Sequence, residues 1–413
     1  MTATVDGVLF ELFLTPDGEQ DPYSRYAALH EAGPLHRWSR DGCWYATSYE
    51  VCRELLIDPR VGHDAERLFR RPGMTPADVE RTRQRQAEDG REPGFSMISE
   101  NPPSHTRLRR LVSRAFTTPR IERLRPQVER LVDERLDAMA AGGDVDAMTT
   151  LAFPLPVTVI SELVGVPEGE RERFRAYSDG LAGIRPASTQ AEVDEAVAAF
   201  NEMEEYCADL ITQRRAAPAD DLLSALIAVR DEDDGRLTDQ ELRDTILLLY
   251  FAGFVTTASL IGNGLLALFH HPAQRARLWA DGSLAVSAVE EFLRYDGPID
   301  ALLRDLLEPV VVGGVPLDAG EHVFLLVAAA NRDPAHFPDP TRLDIGRPVS
   351  QAVSFGWGIH HCLGAPLARL EAQVVFSRMR ERFADIELCG PEPRRVTGIV
   401  RRPATLPVRV HPR

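Results

Sequence analysis

The sequence predicts a mainly α-helical fold with a minor β region. Apolar residues recur at three- and four-residue spacing in segments found in every third of the chain. The run from Thr245 to Phe269 carries no charged residue, which suits a long helix buried on all sides. Strand signals are short and few.

Taken in order, 44–48 is a short strand candidate. In 120–141, Leu124, Val128, Leu131, Val132, Leu136 and Met139 fall on one helix face, and Gly142 and Gly143 end it. Segments 191–214, 220–230, 238–269, 284–295 and 364–383 also read as helices. Thr238 caps the third of these, with Glu241 completing a capping box. Segments 308–317 and 320–327 form a small β unit with a Gly-Gly turn, and 406–410 is a last strand. Nothing resembles a linker or a repeat, so the chain reads as one domain over 1–413. Two loops, 70–96 and 180–188, suit either a cover over a site or plain surface.

Composition narrows the function. The chain has 413 residues, of which 44% are hydrophobic and 27% charged, an ordinary globular balance. Its net charge of −16 gives a nucleic-acid partner no support. All 47 basic residues are arginine, which fits a GC-rich genome. Cys43, Cys52, Cys207, Cys362 and Cys389 are scattered and show no CxxC pair, as expected in a reducing cytoplasm. The acidic N-terminal stretch does not read as a signal peptide. The Thr245–Phe269 run is long enough for a membrane span, but it stands alone without flanking basic or aromatic anchors; a core helix is the expectation, with no membrane partner.

The segment "SFGWGIHHCLGAPLARLEAQ", 354–373, carries the chemistry. Gly356, Gly358 and Gly364 surround Cys362, and Leu363, Leu367 and Leu370 begin a helical pattern. A cysteine in a Gly-rich loop ahead of a helix N-terminus is placed to hold a thiolate, and the glycines let backbone approach a flat ligand. A buried structural cysteine is the plain alternative. A metal site made from His360, His361 and Cys362 is poorly supported, because three consecutive residues converge badly on one ion.

This loop resembles the haem-binding loop of cytochromes P450, F-G-x-G-x-H-x-C-x-G, with Phe355, Gly356, Gly358, His360, Cys362 and Gly364 in place. The resemblance implies the P450 fold, with haem b between a long central helix and the Cys-loop with its following helix. It makes Cys362 the axial thiolate on haem iron, a ligand whose electron donation favours O–O cleavage. Trp357 stands where the family often has histidine. Other family elements follow in order. Glu291-x-x-Arg294 resembles the E-x-x-R helix, and Arg342 of the meander segment 331–344 is expected to complete a buried structural network with them. His105 and Arg109 of "NPPSHTRLRR" share a helix face and, by resemblance, bind the haem propionates, with Arg304 and His360 as further contacts.

The central-helix stretch "AGFVTT", 252–257, resembles the A-G-x-[D/E]-T-T motif. By resemblance, Ala252, Gly253, Val255 and Thr256 belong to the catalytic set. Gly253 allows a local kink or bulge beside the haem, Thr256 hydrogen-bonds dioxygen, and Val255 stands where the acid of the usual proton relay belongs. Leu248, Phe251, Ala252, Ile299 and Asp300 are implied to border the substrate.

The implied function is a bacterial, actinomycete-type monooxygenase that inserts one oxygen atom from O2 into a C–H bond of a bulky small molecule, by hydroxylation or epoxidation. The implied context is natural-product biosynthesis (polyketide or macrolide, terpenoid or peptide). Electrons come ultimately from NAD(P)H through ferredoxin and ferredoxin reductase, neither expected to be fused to this domain, and Arg107, Arg110, Arg114, Arg120, Arg123 and Arg125 form a candidate docking patch. The protein is expected to be cytoplasmic and monomeric. Val255 favours, as one alternative, an oxidation by coupling, desaturation or ring formation; a second is a haem protein that binds a ligand without turnover.

Overall fold

The computed structural model describes residues 4–64, 75–77, 80–81, 84, 97–171, 190–231, 235–348, 351–397 and 400–413; most of the expected loop 70–96 and all of 180–188 lie outside them. The chain groups into two compact units. The first comprises Met1–Thr106, Ile299–Arg342 and Ala352–Cys362, and the second Arg107–Pro298, Leu343–Gln351 and Leu363–Arg413.

The first unit is built on a five-stranded sheet, in the order Leu35–Arg37, Trp44–Ala46, His322–Leu325, Leu302–Leu306, Val61–Gly62. His322–Leu325 runs parallel to Trp44–Ala46 and antiparallel to Leu302–Leu306, which sets Val323 opposite Arg304 and His322 opposite Asp305. Neighbouring strand residues point to opposite faces, so Arg304 and Asp305 are separated by the sheet. Helices Val5–Leu14 and Tyr23–Ala32 contribute to one apolar cluster with Trp38, Tyr45 and Phe324. Helix Tyr49–Ile57 contributes Cys52, Leu55 and Leu56 to a second. Only the first half of the expected β unit, 308–317, forms a hairpin of its own, Val310–Val312 with Val315–Leu317, turning at Gly313 and Gly314, both at positive φ; the second half, 320–327, does not join it but supplies His322–Leu325 to the five-stranded sheet.

The second unit is arranged about the central helix, Asp239–His270. Its capping box is formed in full: Glu241 N donates to Thr238 Oγ1 at 3.2 Å, and Thr238 N donates to Glu241 Oε2 at 2.8 Å. The helix is long and apolar enough to cross a membrane, but 72% of its most apolar window is buried inside the protein. It packs on helices Pro154–Val164, Gln190–Ala216, Ala285–Asp296 and Ala365–Arg382.

Proline explains one departure from expectation. The segment 120–141 is two helices, Thr118–Glu122 and Arg125–Ala141, each with proline in its first turn. Pro126 has no N–H to continue a preceding helix, but fits the start of a new one. The last strand, Pro407–Pro412, pairs with Phe383–Leu388 and Asp144–Asp146.

Candidate active site

The cysteine loop of the first unit is held open by glycine. Gly356 and Gly358 both lie at φ near +68°, where an L side chain is strained. A Cβ on residue 358 would also sit 2.5 Å from the carbonyl oxygen of Leu56. Cys362 N donates to the Phe355 carbonyl at 2.9 Å, closing the loop on itself. Cys362 is half-buried and takes part in no disulfide, whereas Cys52 is fully buried and burial raises its thiol out of the reactive range. Gly364 takes the N-cap position of helix Ala365–Arg382. Trp357 packs against the Leu55–Leu56 cluster, and the Arg53 guanidinium lies 5.5 Å from its ring centroid.

Beside this loop is a congested set of basic side chains. The rings of His105 and His360 lie 4.2 Å apart, and those of His63 and His360 lie 4.9 Å apart, edge to face. Arg304 is buried from the sheet side and donates to the Leu303 carbonyl at 2.8 Å. Burial lowers its guanidinium to about 10, against the opposing pull of Asp305. Burial, reinforced by Arg304, His360 and His105, pushes the His63 imidazole down to about 2. Groups so placed favour a ligand carrying carboxylates. Nε2 of His63 is buried with no hydrogen-bond partner among the described residues, which fits such a ligand. Sequence reasoning named His105, Arg304 and His360 but missed His63, which lies outside every recognised motif. Arg109, one helical turn after His105 in helix Ser104–Ala115, belongs to the second unit and is half-buried.

The central helix offers a different surface. Leu247, Leu249, Tyr250, Phe254, Val255 and Thr257 are buried, whereas Leu248, Phe251, Ala252, Gly253 and Thr256 are more open. Leu248, Ala252 and Thr256 are four apart, so they form one apolar stripe ending in a hydroxyl. The expected interruption at Gly253 is not found, because the helix is continuous there. Thr256 Oγ1 donates to the Ala252 carbonyl at 2.8 Å, and Thr257 Oγ1 to that of Gly253 at 3.2 Å. The glycine serves packing instead: a Cβ there would stand 3.1 Å from the Ile160 side chain of helix Pro154–Val164. In the first unit, Ile299 and Asp300 are half-buried, and the Asp300 carbonyl accepts from Ala328 N at 3.1 Å.

Glu291 and Arg294 form a fully buried pair at 2.8 and 2.9 Å. The expected third member, Arg342, is exposed, and the position is taken by Arg347, whose Nε lies 3.2 Å from Glu291 Oε2. Asp344 N adds a bond to Glu291 Oε1 at 2.8 Å. The turn at 344–347, with Arg347 N donating to the Asp344 carbonyl at 2.9 Å, carries Arg347 back to the carboxylate.

Comparison with known proteins gives a consistent picture. The family model for Cytochrome P450 matches residues 186–282 and 283–404. The cytochrome P450 monooxygenase PikC of Streptomyces venezuelae is 43% identical over 382 residues, covering 91% of this chain and 87% of its own. The 6-deoxyerythronolide B hydroxylase of Saccharopolyspora erythraea is 39% identical over 389 residues, covering 90% and 92%. The crystal structure of myxobacterial cytochrome P450 CYP267B1 in complex with myristic acid superposes with a TM-score of 0.86 at 39% identity, over 97% of this chain and 99% of the other.

Proposed function

The chain belongs to the cytochrome P450 family, and from that premise we propose that it oxidises a bulky, largely apolar small molecule in natural-product biosynthesis, most simply by hydroxylating it. It is a monooxygenase using haem b, O2 and electrons relayed from NAD(P)H by redox partners. The haem supplies dioxygen activation once its iron is held by a thiolate. The protein's own residues then have four tasks.

Cys362 would hold the iron, because its loop closes on the Phe355 carbonyl and leaves the thiol half-buried rather than sealed in the core. His105, Arg304 and His360, together with Arg109, would hold the propionates. Leu248, Phe251 and Ala252 would face substrate and exclude water, with Ile299 and Asp300 beside it. Thr256 would place a hydroxyl where protons are needed. The observation that carries this reading is the open apolar stripe, ending at Thr256, on a helix otherwise sunk in the core. A relative acting on 6-deoxyerythronolide B supports a polyketide-type substrate. We read 1–413 as one P450 domain that works as a cytoplasmic monomer without a membrane partner.

Val255 favours a second reading. It is buried, apolar and unable to carry a proton, which suits a coupling, desaturation or ring-forming oxidation. A panel of substrates, scored for hydroxylated against dehydrogenated or cyclised product, separates the two.

The cofactor assignment is tested by the carbon monoxide difference spectrum of the reduced protein. Cys362→Ser should abolish the thiolate-type band, and Cys389→Ser should keep it. Retention of the band in Cys362→Ser would exclude this cysteine as the ligand.

A further inference from the structure

His63 is the one imidazole of the basic cluster that no recognised motif contains, yet the structure fixes it firmly. It directly follows strand Val61–Gly62. Its backbone is clamped at both ends by one side chain: His63 N donates to Asn101 Oδ1 at 2.9 Å, and Asn101 Nδ2 donates to the His63 carbonyl at 2.6 Å. The clamp depends on a close approach, since a Cβ on residue 62 would stand 2.3 Å from Asn101 Oδ1. The ring then meets His360 edge to face at 4.9 Å, while His105 lies 4.2 Å from the same His360.

The adjoining carboxylate does not neutralise this group. Asp305 projects from the opposite face of the strand to Arg304. It is engaged there by His322 Nδ1 and by the backbone N–H of Asp64, both at 2.5 Å. The basic cluster is therefore left with His63 Nε2 buried and unbonded among the described residues. A buried polar nitrogen without a partner is costly, and an anionic oxygen relieves that cost and the mutual repulsion together.

We propose that His63, fixed by the Asn101 clamp, is a further haem-holding residue, donating from Nε2 to a propionate carboxylate beside Arg304, His105 and His360. The inference rests on the haem reading above and adds to the cofactor's holders a residue outside the family's signature segments. It predicts that the contact is lost with the donor, not with the bulk of the ring.

The test is transfer of haem from the ferric holoenzyme to excess apomyoglobin, followed by absorbance. His63→Phe should lose haem about tenfold faster than wild type or more, the scale of one charge-assisted hydrogen bond. His63→Gln, which keeps an N–H donor, should restore most of the difference, and Asn101→Ala should fall between. All three should keep the thiolate-type carbon monoxide band, because the iron ligand is untouched. Repeating the measurement with haem dimethyl ester, which has no carboxylates, should erase the gap between wild type and His63→Phe. A His63→Phe protein that holds haem as long as wild type overturns the proposal, as does a gap that survives with the ester, which would mark His63 as a packing residue. A wild-type chain that takes up no haem would instead remove the cofactor reading, and this proposal with it.

Discussion

Residue 255 shows how far a single side chain can be read. The sequence identifies Val255 as the departure from an acid-bearing pattern, and the structure adds that the position is 1% exposed. A carboxylate introduced there would be buried, so Val255→Glu should lower stability by about 3 kcal/mol at neutral pH. The penalty should shrink on acidification. Burial raises the folded-state pKa of such a group, so the cost appears as pH rises above the unfolded carboxylate value and grows towards the folded one. Denaturant melts at pH 5 and pH 8 check this; an equal loss at both would show that the site hydrates. The same variant reports on the relay: a fall in peroxide released per NAD(P)H would mean that valine limits proton delivery, and an unchanged ratio that protons arrive through another group. His63 marks the opposite limit of sequence reading. Its role depends on a sheet register and an Asn101 clamp that no local spacing encodes.

At the scale of elements, the buried ion network divides what sequence can and cannot give. The i, i+3 spacing puts Glu291 and Arg294 on one helix face and is visible at once. The third partner comes from a loop, where turn geometry, not periodicity, decides whether Arg342 or Arg347 reaches the carboxylate. Removing the carboxylate strands a buried guanidinium, so Glu291→Ala should cost about 3–5 kcal/mol in urea melts. Arg347→Ala should destabilise clearly, whereas Arg342→Ala should stay within about 0.5 kcal/mol; the reverse order would restore the original assignment. Helix Ala365–Arg382 carries a second buried acid, Glu371, whose Oε2 has no hydrogen-bond partner among the described residues. Burial alone pushes its carboxyl well above the usual range. The folded protein keeps a proton there that the unfolded chain releases, so this group costs stability as pH climbs above 4.5 towards its folded value. Glu371→Gln should therefore gain stability on the wild type between pH 5 and pH 8; a constant difference would place the acid in a wetter setting. The central helix was legible through its uncharged run and capping box. Helix Pro272–Ala280 was not, because its amphipathic pattern is short and adjoins a longer one across His271.

For the molecule as a whole, charge is the legible quantity. A chain of net charge −16 gains little from general attraction to an acidic redox protein, so docking needs a local patch. Of the candidate arginines, Arg110, Arg114 and Arg123 are the exposed ones on the second unit, and Arg107 and Arg125, which bind Glu241 and Glu122, are half-buried. Reversing Arg110 and Arg114 to Glu should raise the KM for ferredoxin severalfold at low salt, with the gap closing as salt screens it. An unchanged KM at low salt would move the docking surface elsewhere. Fold class and the main motifs were recoverable because they rest on long helical periodicities and on residues close in sequence. The grouping into two units was not, since each gathers segments far apart in the chain.

The Thr256 hydroxyl, resting on the Ala252 carbonyl, has a mechanical consequence. The helix is continuous through this turn, so the hydroxyl is a side-chain addition to it and not part of its backbone frame. Rotating it away costs on the order of 1 kcal/mol and leaves the backbone intact. Thr256 is thus a swivel with a low release energy mounted on a rigid shaft. It can change partners without the helix having to bend.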